Sequence, residues 1–175
     1  KGYIVTRYND AKSTIIDYFL KKKGSKDLLK EKIKSLILRN YGSQFRNQDN
    51  QLSIKALEIF SDSDMNLDLS CHNVSRLSND LSKLSIQGVD VSISPEILIT
   101  GSIRKKEFVG AIKIHISKSN PLNDKSGKYV ATLVHRFLEN QYPGKTVRPD
   151  FCVSLDVFTG QYFLPSRSFK SMRKD

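Results

Sequence analysis

The segment from Phe108 to Ser117 constrains the fold more than any other. Its side chains alternate: Ile112, Ile114 and Ile116 point one way, and Val109, Ala111, Lys113 and His115 the other. That period of two is the geometry of an extended strand, whose successive side chains stand on opposite faces. A strand needs neighbours. Just before it, Val89 to Ser94 and Ile97 to Thr100 alternate as a strand pair, or as one strand bent at Pro95, with Gly101 to Lys106 as a basic turn. After it, Asn120-Pro121 and Asn123-Asp124 signal a helix start. Val130, Leu133, Val134, Phe137 and Leu138 then form a helical stripe that Pro143-Gly144 ends. Phe151, Val153, Leu155 and Val157 predict a further strand, Thr159-Gly160 a tight turn, and Gln161 to Leu164 a return strand.

The first half reads as helices. Ile15, Ile16, Phe19 and Leu20 form one stripe, ended by Lys21-Lys22-Lys23 and Gly24. Ser25 is the expected N-cap of the next helix, carried by Leu29, Ile33, Leu36 and Ile37 and closed at Tyr41-Gly42. Asn47 to Asn50 reads as a turn, Ser53 as the cap of a third helix with Ile54, Leu57 and Phe60 facing inward, and Ser61 to Asp64 as a loop. Val74, Leu77, Leu81 and Leu84 predict a fourth helix, stopped near Gly88. The expected class is therefore α+β: a helical N-terminal half followed by a mixed β-sheet flanked by helices. Residues 1–52 are expected to be a helical extension, and residues 53–175 the core domain. The chain begins with Lys1, and Ser168 to Asp175 reads as the start of a helix, so a trimmed product is expected.

Charge is the strongest pointer to a partner. Lys and Arg number 29 against 18 Asp and Glu, a formal net charge of +11. Such an excess attracts phosphates and releases their counterions on binding. The cations cluster at Lys21 to Lys23, at Arg104, Lys105 and Lys106, and from Arg167 to Lys174. Arg104, Lys105, Lys106, His115, Lys118, Arg167, Lys170 and Arg173 are the candidate phosphate contacts. Aromatic residues lie among them: Tyr3 and Tyr8 beside Arg7, and Tyr162, Phe163 and Phe169 near Arg167. Such mixtures suit base stacking and phosphate contacts, with Phe163 and Phe169 read as core and the Arg and Lys residues as the contacts. DNA stands ahead of RNA as the partner. A membrane surface does not fit, because the basic runs lie on no long apolar-faced helix. No run of about eighteen apolar residues exists, so no transmembrane helix is expected. Cys71 and Cys152 match no metal or redox spacing and read as reduced thiols in a cytoplasm.

Lys113 is the residue most suggestive of chemistry. A lysine inside an Ile-rich strand is costly unless its amine reaches water or a partner, and a solvated sheet face is the simplest remedy. Glu96 follows Pro95 at the start of the preceding strand segment. His135 reads as a surface or half-buried histidine, and Asp156 as solvated. No phosphate-cradling glycine loop, nucleophile elbow or Ser/His/Asp arrangement is present.

An acid entering one strand of a hairpin, with a lysine inside the next, resembles the PD-(D/E)XK nuclease-like superfamily. The resemblance covers roughly Ser53 to Leu164. Ser94-Pro95-Glu96 fits its first motif and Ala111-Ile112-Lys113 occupies its second. It implies a restriction-endonuclease-like core, α-β-β-β-α-β. It implies Mg²⁺ on the carboxylates, a lysine that positions the attacking water, and phosphodiester hydrolysis in bacterial nucleic-acid metabolism or defence. Glu96 and Lys113 would be catalytic. Ala111 departs from the pattern, because alanine stands where the family places Asp or Glu. Glu58, on the preceding helix, or Asp90 would then have to complete the metal site with Glu96. The alternative is a non-catalytic nucleic-acid-binding module, or a protein-interaction subunit of a larger complex, on the same scaffold.

Overall fold

The computed structural model describes residues 7–21, 26–63, 67–77 and 83–166. Among them eleven elements occur in the order α1 (Asn9–Leu20), α2 (Lys26–Ile37), α3 (Gln44–Asp62), β1 (Asn73–Arg76), β2 (Leu84–Ile86), β3 (Val89–Val91), β4 (Ile97–Ile103), β5 (Lys106–His115), α4 (Asp124–Gln141), β6 (Thr146–Asp156) and β7 (Gln161–Phe163). The main sheet has the order β1-β4-β5-β6-β7. Its β5–β6 pair is parallel and the others antiparallel, so the sheet is mixed. The parallel pair is joined through α4, as a parallel connection requires. Strands β2 and β3 form a separate hairpin.

The alternation of β5 is what sorts the layers. Ile112 and Ile114, with Ile97, Ile99, Val153 and Leu155 of the neighbouring strands, join a core with Ala11, Ile15, Leu29, Leu36 and Leu57 of the first three helices. Val109, Ala111 and Cys152 point to the opposite side and pack on Val134, Phe137 and Leu138 of α4. Both faces are therefore covered at the C-terminal half of β6, where Cys152 to Asp156 form a buried run rather than an alternating one. The boundary at positions 52 and 53 falls within the unbroken α3, and the first three helices share their core with the sheet.

Helix α4 starts where the sequence places it. The Asn123 side chain accepts from the Ser126 N–H (2.8 Å), and the Ser126 hydroxyl accepts from the Asn123 N–H (2.9 Å), a reciprocal capping box. At the far end of the β4–β5 hairpin, Arg104 and Lys105 form a two-residue turn with φ of 51° and 66°. Gly101 faces Phe108 across the strands, where a Cβ would lie 2.7 Å from the Phe108 ring. Only glycine leaves that ring its place.

Several local expectations are corrected. Asn47 to Asn50 is not a turn and Ser53 is not a cap: both lie within α3, where Ser53 is buried. The same helix runs on through Ser61 to Asp62. The fourth helix is absent as read. Val74 lies in β1 and Leu84 in β2, so two short strands share what looked like one apolar stripe. Leu81 lies outside the described residues. Val89 to Val91 pairs with β2, not with the strand that follows Pro95. Ser25, Tyr3, Arg167, Phe169, Lys170 and Arg173 also lie outside the described residues. Among the described residues no helix is long and apolar enough to cross a membrane.

Candidate phosphate-binding cleft

The strand register places Glu96 beside Lys113. The Glu96 N–H donates to the Ile112 carbonyl (3.0 Å), and Ile97 pairs with Ile112, so the residue just before β4 lies next to Lys113 of β5. The Lys113 ammonium donates to Glu96 Oε1 and to the Ser94 carbonyl, both at 2.8 Å. Lys12 of α1 reaches the same Oε1 at 2.6 Å. The other oxygen, Oε2, accepts the Ile114 N–H at 2.7 Å. The carboxylate is only 8% exposed, so its negative charge is balanced by protein groups rather than by water.

An open cleft of about 390 Å³ surrounds this pair, lined by Lys12, Ile16, Arg76, Leu77, Ser94, Glu96 and Lys113. Arg76, at the end of β1, is held from α1 by Asp17 at 2.6 Å. Among the described residues, three cations thus line the cleft against one carboxylate. Lys12 and Arg76 were not anticipated from sequence. Their partners lie far along the chain, and only the packing of α1 against the end of β1 brings them in.

The other anticipated residues lie elsewhere. Glu58 is exposed on α3 and Asp90 is exposed on β3, and neither lines the cleft. Ala111 is fully buried beneath α4 and offers no oxygen. Magnesium needs oxygen ligands. Here the one carboxylate that the described residues bring to the cleft already accepts three donors from the chain. Among the described residues no three His, Cys, Asp or Glu side chains gather into a metal-binding group. The donor set that the described residues bring to the cleft does not fit a magnesium ion.

His115 stands one step beyond Lys113 on the same strand face, with Nε2 2.8 Å from the Asn120 carbonyl. Its pairing partner in β6 is Asp156, which is not solvated as expected but fully buried. Asp156 Oδ2 accepts the Leu122 N–H (2.6 Å) and Oδ1 accepts the Thr159 N–H (3.0 Å). The carboxylate therefore ties the loop before α4 to the β6–β7 turn. The cause is the place of β6 between β5 and β7: its C-terminal half, Cys152 to Asp156, has no solvated face. His135, on α4 itself, is likewise buried rather than at the surface or half-buried. Lys118 is exposed just past the C-terminal end of β5. Arg104, Lys105 and Lys106 are exposed at the opposite end of the hairpin. Of the aromatic residues near cations, Tyr8 packs edge-on against Phe158, and Phe163 is core. Cys152 is buried, and that burial pushes its thiol well above the usual range, whereas Cys71 is exposed.

Comparison of the chain with family models, curated proteins and solved structures gives no match.

Proposed function

We propose that this chain is a nucleic-acid-binding domain, on a restriction-endonuclease-like core, that holds phosphates without cutting them. The order α3, β1, β4, β5, α4, β6 supports the core, since setting aside α1, α2, the β2–β3 hairpin and β7 leaves helix, three strands, helix, strand. So does the side-by-side placement of Glu96 and Lys113. The observation that carries the non-cleaving reading is the Glu96 carboxylate. Two ammonium groups and a backbone N–H occupy it, and among the described residues no second acid lines the cleft. Such a site attracts a phosphate and has no hold on the divalent ion that phosphodiester hydrolysis needs.

The hairpin turn adds a second, independent support. Arg104 and Lys105 occupy left-handed backbone that glycine or asparagine adopts more cheaply. Backbone strain that presents cations to solvent is the kind a functional contact retains. DNA remains the preferred partner and the cytoplasm the preferred compartment, which suits two free cysteines.

The test is a titration of labelled DNA and RNA oligonucleotides in the presence of a chelator. Affinity should fall steeply between about 50 and 200 mM salt. Added Mg²⁺ should produce no cleavage. Binding that ignores salt overturns the reading, as does Mg²⁺- or Mn²⁺-dependent cleavage that vanishes in Lys113→Ala.

One observation favours a second reading, a subunit of a larger protein complex. Ile37, Leu38 and Phe45 are 61%, 86% and 40% exposed around the α2–α3 connection. Apolar surface of that kind suits a protein partner. If that patch carries the function, Leu38→Ser abolishes assembly and leaves oligonucleotide binding unchanged.

A further inference from the structure

We infer that the Glu96 cleft is a discrete pocket for one phosphate group, with Glu96 acting as a positioning residue rather than a ligand. The donors argue for it. An ammonium group carries three N–H bonds and a guanidinium five. Lys113 spends two on Ser94 and Glu96, and Lys12 spends one on Glu96. One N–H of Lys113 and two of Lys12 therefore have no partner among the described residues. Arg76 uses Nη2 on Asp17 and keeps most of its fork.

The geometry explains why these donors do not collapse onto each other. Glu96 Oε1 binds Lys12 and Lys113 at 2.6 and 2.8 Å, which holds two like charges side by side. The Ile114 N–H fixes Oε2 and so the plane of the carboxylate. With Asp17 included, three cations stand against two carboxylates. An arriving phosphate thus enters a net positive site whose donors are already oriented. The volume of about 390 Å³ lies at the small end of ligand pockets and suits one phosphate with part of a nucleotide, not a duplex groove. Ile16 and Leu77 supply apolar wall for a sugar or base.

This inference rests on the nucleic-acid reading only for the source of the phosphate, a strand phosphate or a free nucleotide. The site itself stands on its own donors. The probe is inorganic phosphate, read by thermal melting against chloride of equal ionic strength, and the variants are Lys12→Ala, Lys113→Ala and Arg76→Gln. Arg76 is surface-exposed, so its variant is expected to fold even if the lysine variants do not. Phosphate should raise the melting temperature of the native chain, and each variant should bind it about tenfold more weakly. Lys12→Arg should restore binding. Glu96→Gln should weaken it while leaving all three cations present, an effect that simple charge attraction would reverse.

The sources separate in two further arms. A tenfold preference for a 5′-phosphorylated oligonucleotide over its hydroxyl-ended twin assigns the pocket to a strand end. Equal affinity, with phosphate competing, assigns it to internal phosphates, and competition by a nucleoside monophosphate alone assigns it to free nucleotide. Phosphate binding without oligonucleotide binding keeps the pocket and removes the nucleic-acid reading. A native chain whose melting phosphate does not move, or a shift that survives in Arg76→Gln and Lys113→Ala alike, overturns the pocket.

Discussion

At the turn end of the β4–β5 hairpin the strands are held by rings; at the other end they are held by charge. Phe108 and Phe151 stack with centroids 5.4 Å apart and planes 13° from parallel. His72 stands edge-on to both, and Arg148 lies 5.5 and 5.0 Å from their centroids. About 20 Å away along the strands, the Glu96 carboxylate gathers Lys12, Lys113 and the Ile114 N–H. The ring end buries apolar surface, which is non-directional and tolerates small shifts. The charged end is directional, because each oxygen has named donors. One hairpin therefore carries a stabilising end and an end available to a ligand.

The difference is breakable from both sides. Phe108→Ala should be the most damaging change, costing about 3–5 kcal/mol through lost burial and a cavity, read by urea unfolding. Glu96→Ala should cost less, about 2 kcal/mol, because the two lysines it strands keep some water. If Glu96→Ala proves the costlier, the charged end is structural and the comparison fails. Replacing Arg104-Lys105 by Asn-Gly should stabilise by about 1 kcal/mol, since that pair adopts left-handed turns readily. The same change should weaken oligonucleotide binding severalfold. Lys12→Ala should move stability by under about 1 kcal/mol, being partly exposed, while it weakens phosphate binding. Thiol labelling sharpens the layering at no cost in stability. Cys71 should react in the native state, and Cys152 only after unfolding, because burial keeps its thiol protonated.

The adjacency of Glu96 and Lys113 was legible because both lie in neighbouring strands of one hairpin, and alternation fixes which side each faces. The α4 helix was legible for a similar reason: its cap and stripe are local. The failures are equally physical. Val74, Leu77 and Leu84 fit helical spacing, yet Val74 lies in a strand of four residues, Leu77 just beyond it and Leu84 in a strand of three. Periodicity over so few residues does not distinguish them. Asp156 looked solvated because alternation presumes one wet face, and a central strand has none. The Thr159-Gly160 turn beyond it was the available signal, since aspartate commonly accepts backbone N–H bonds at such turns. Lys12 carried no signal at all, for its role comes from tertiary packing.

The central claim is that the chain's own cations occupy Glu96. Its most direct test is calorimetric titration of Mn²⁺ into the native chain and into Glu96→Gln. Both should give the same weak, non-saturating heats. Saturable Mn²⁺ uptake by the native chain that disappears in Glu96→Gln would contradict it.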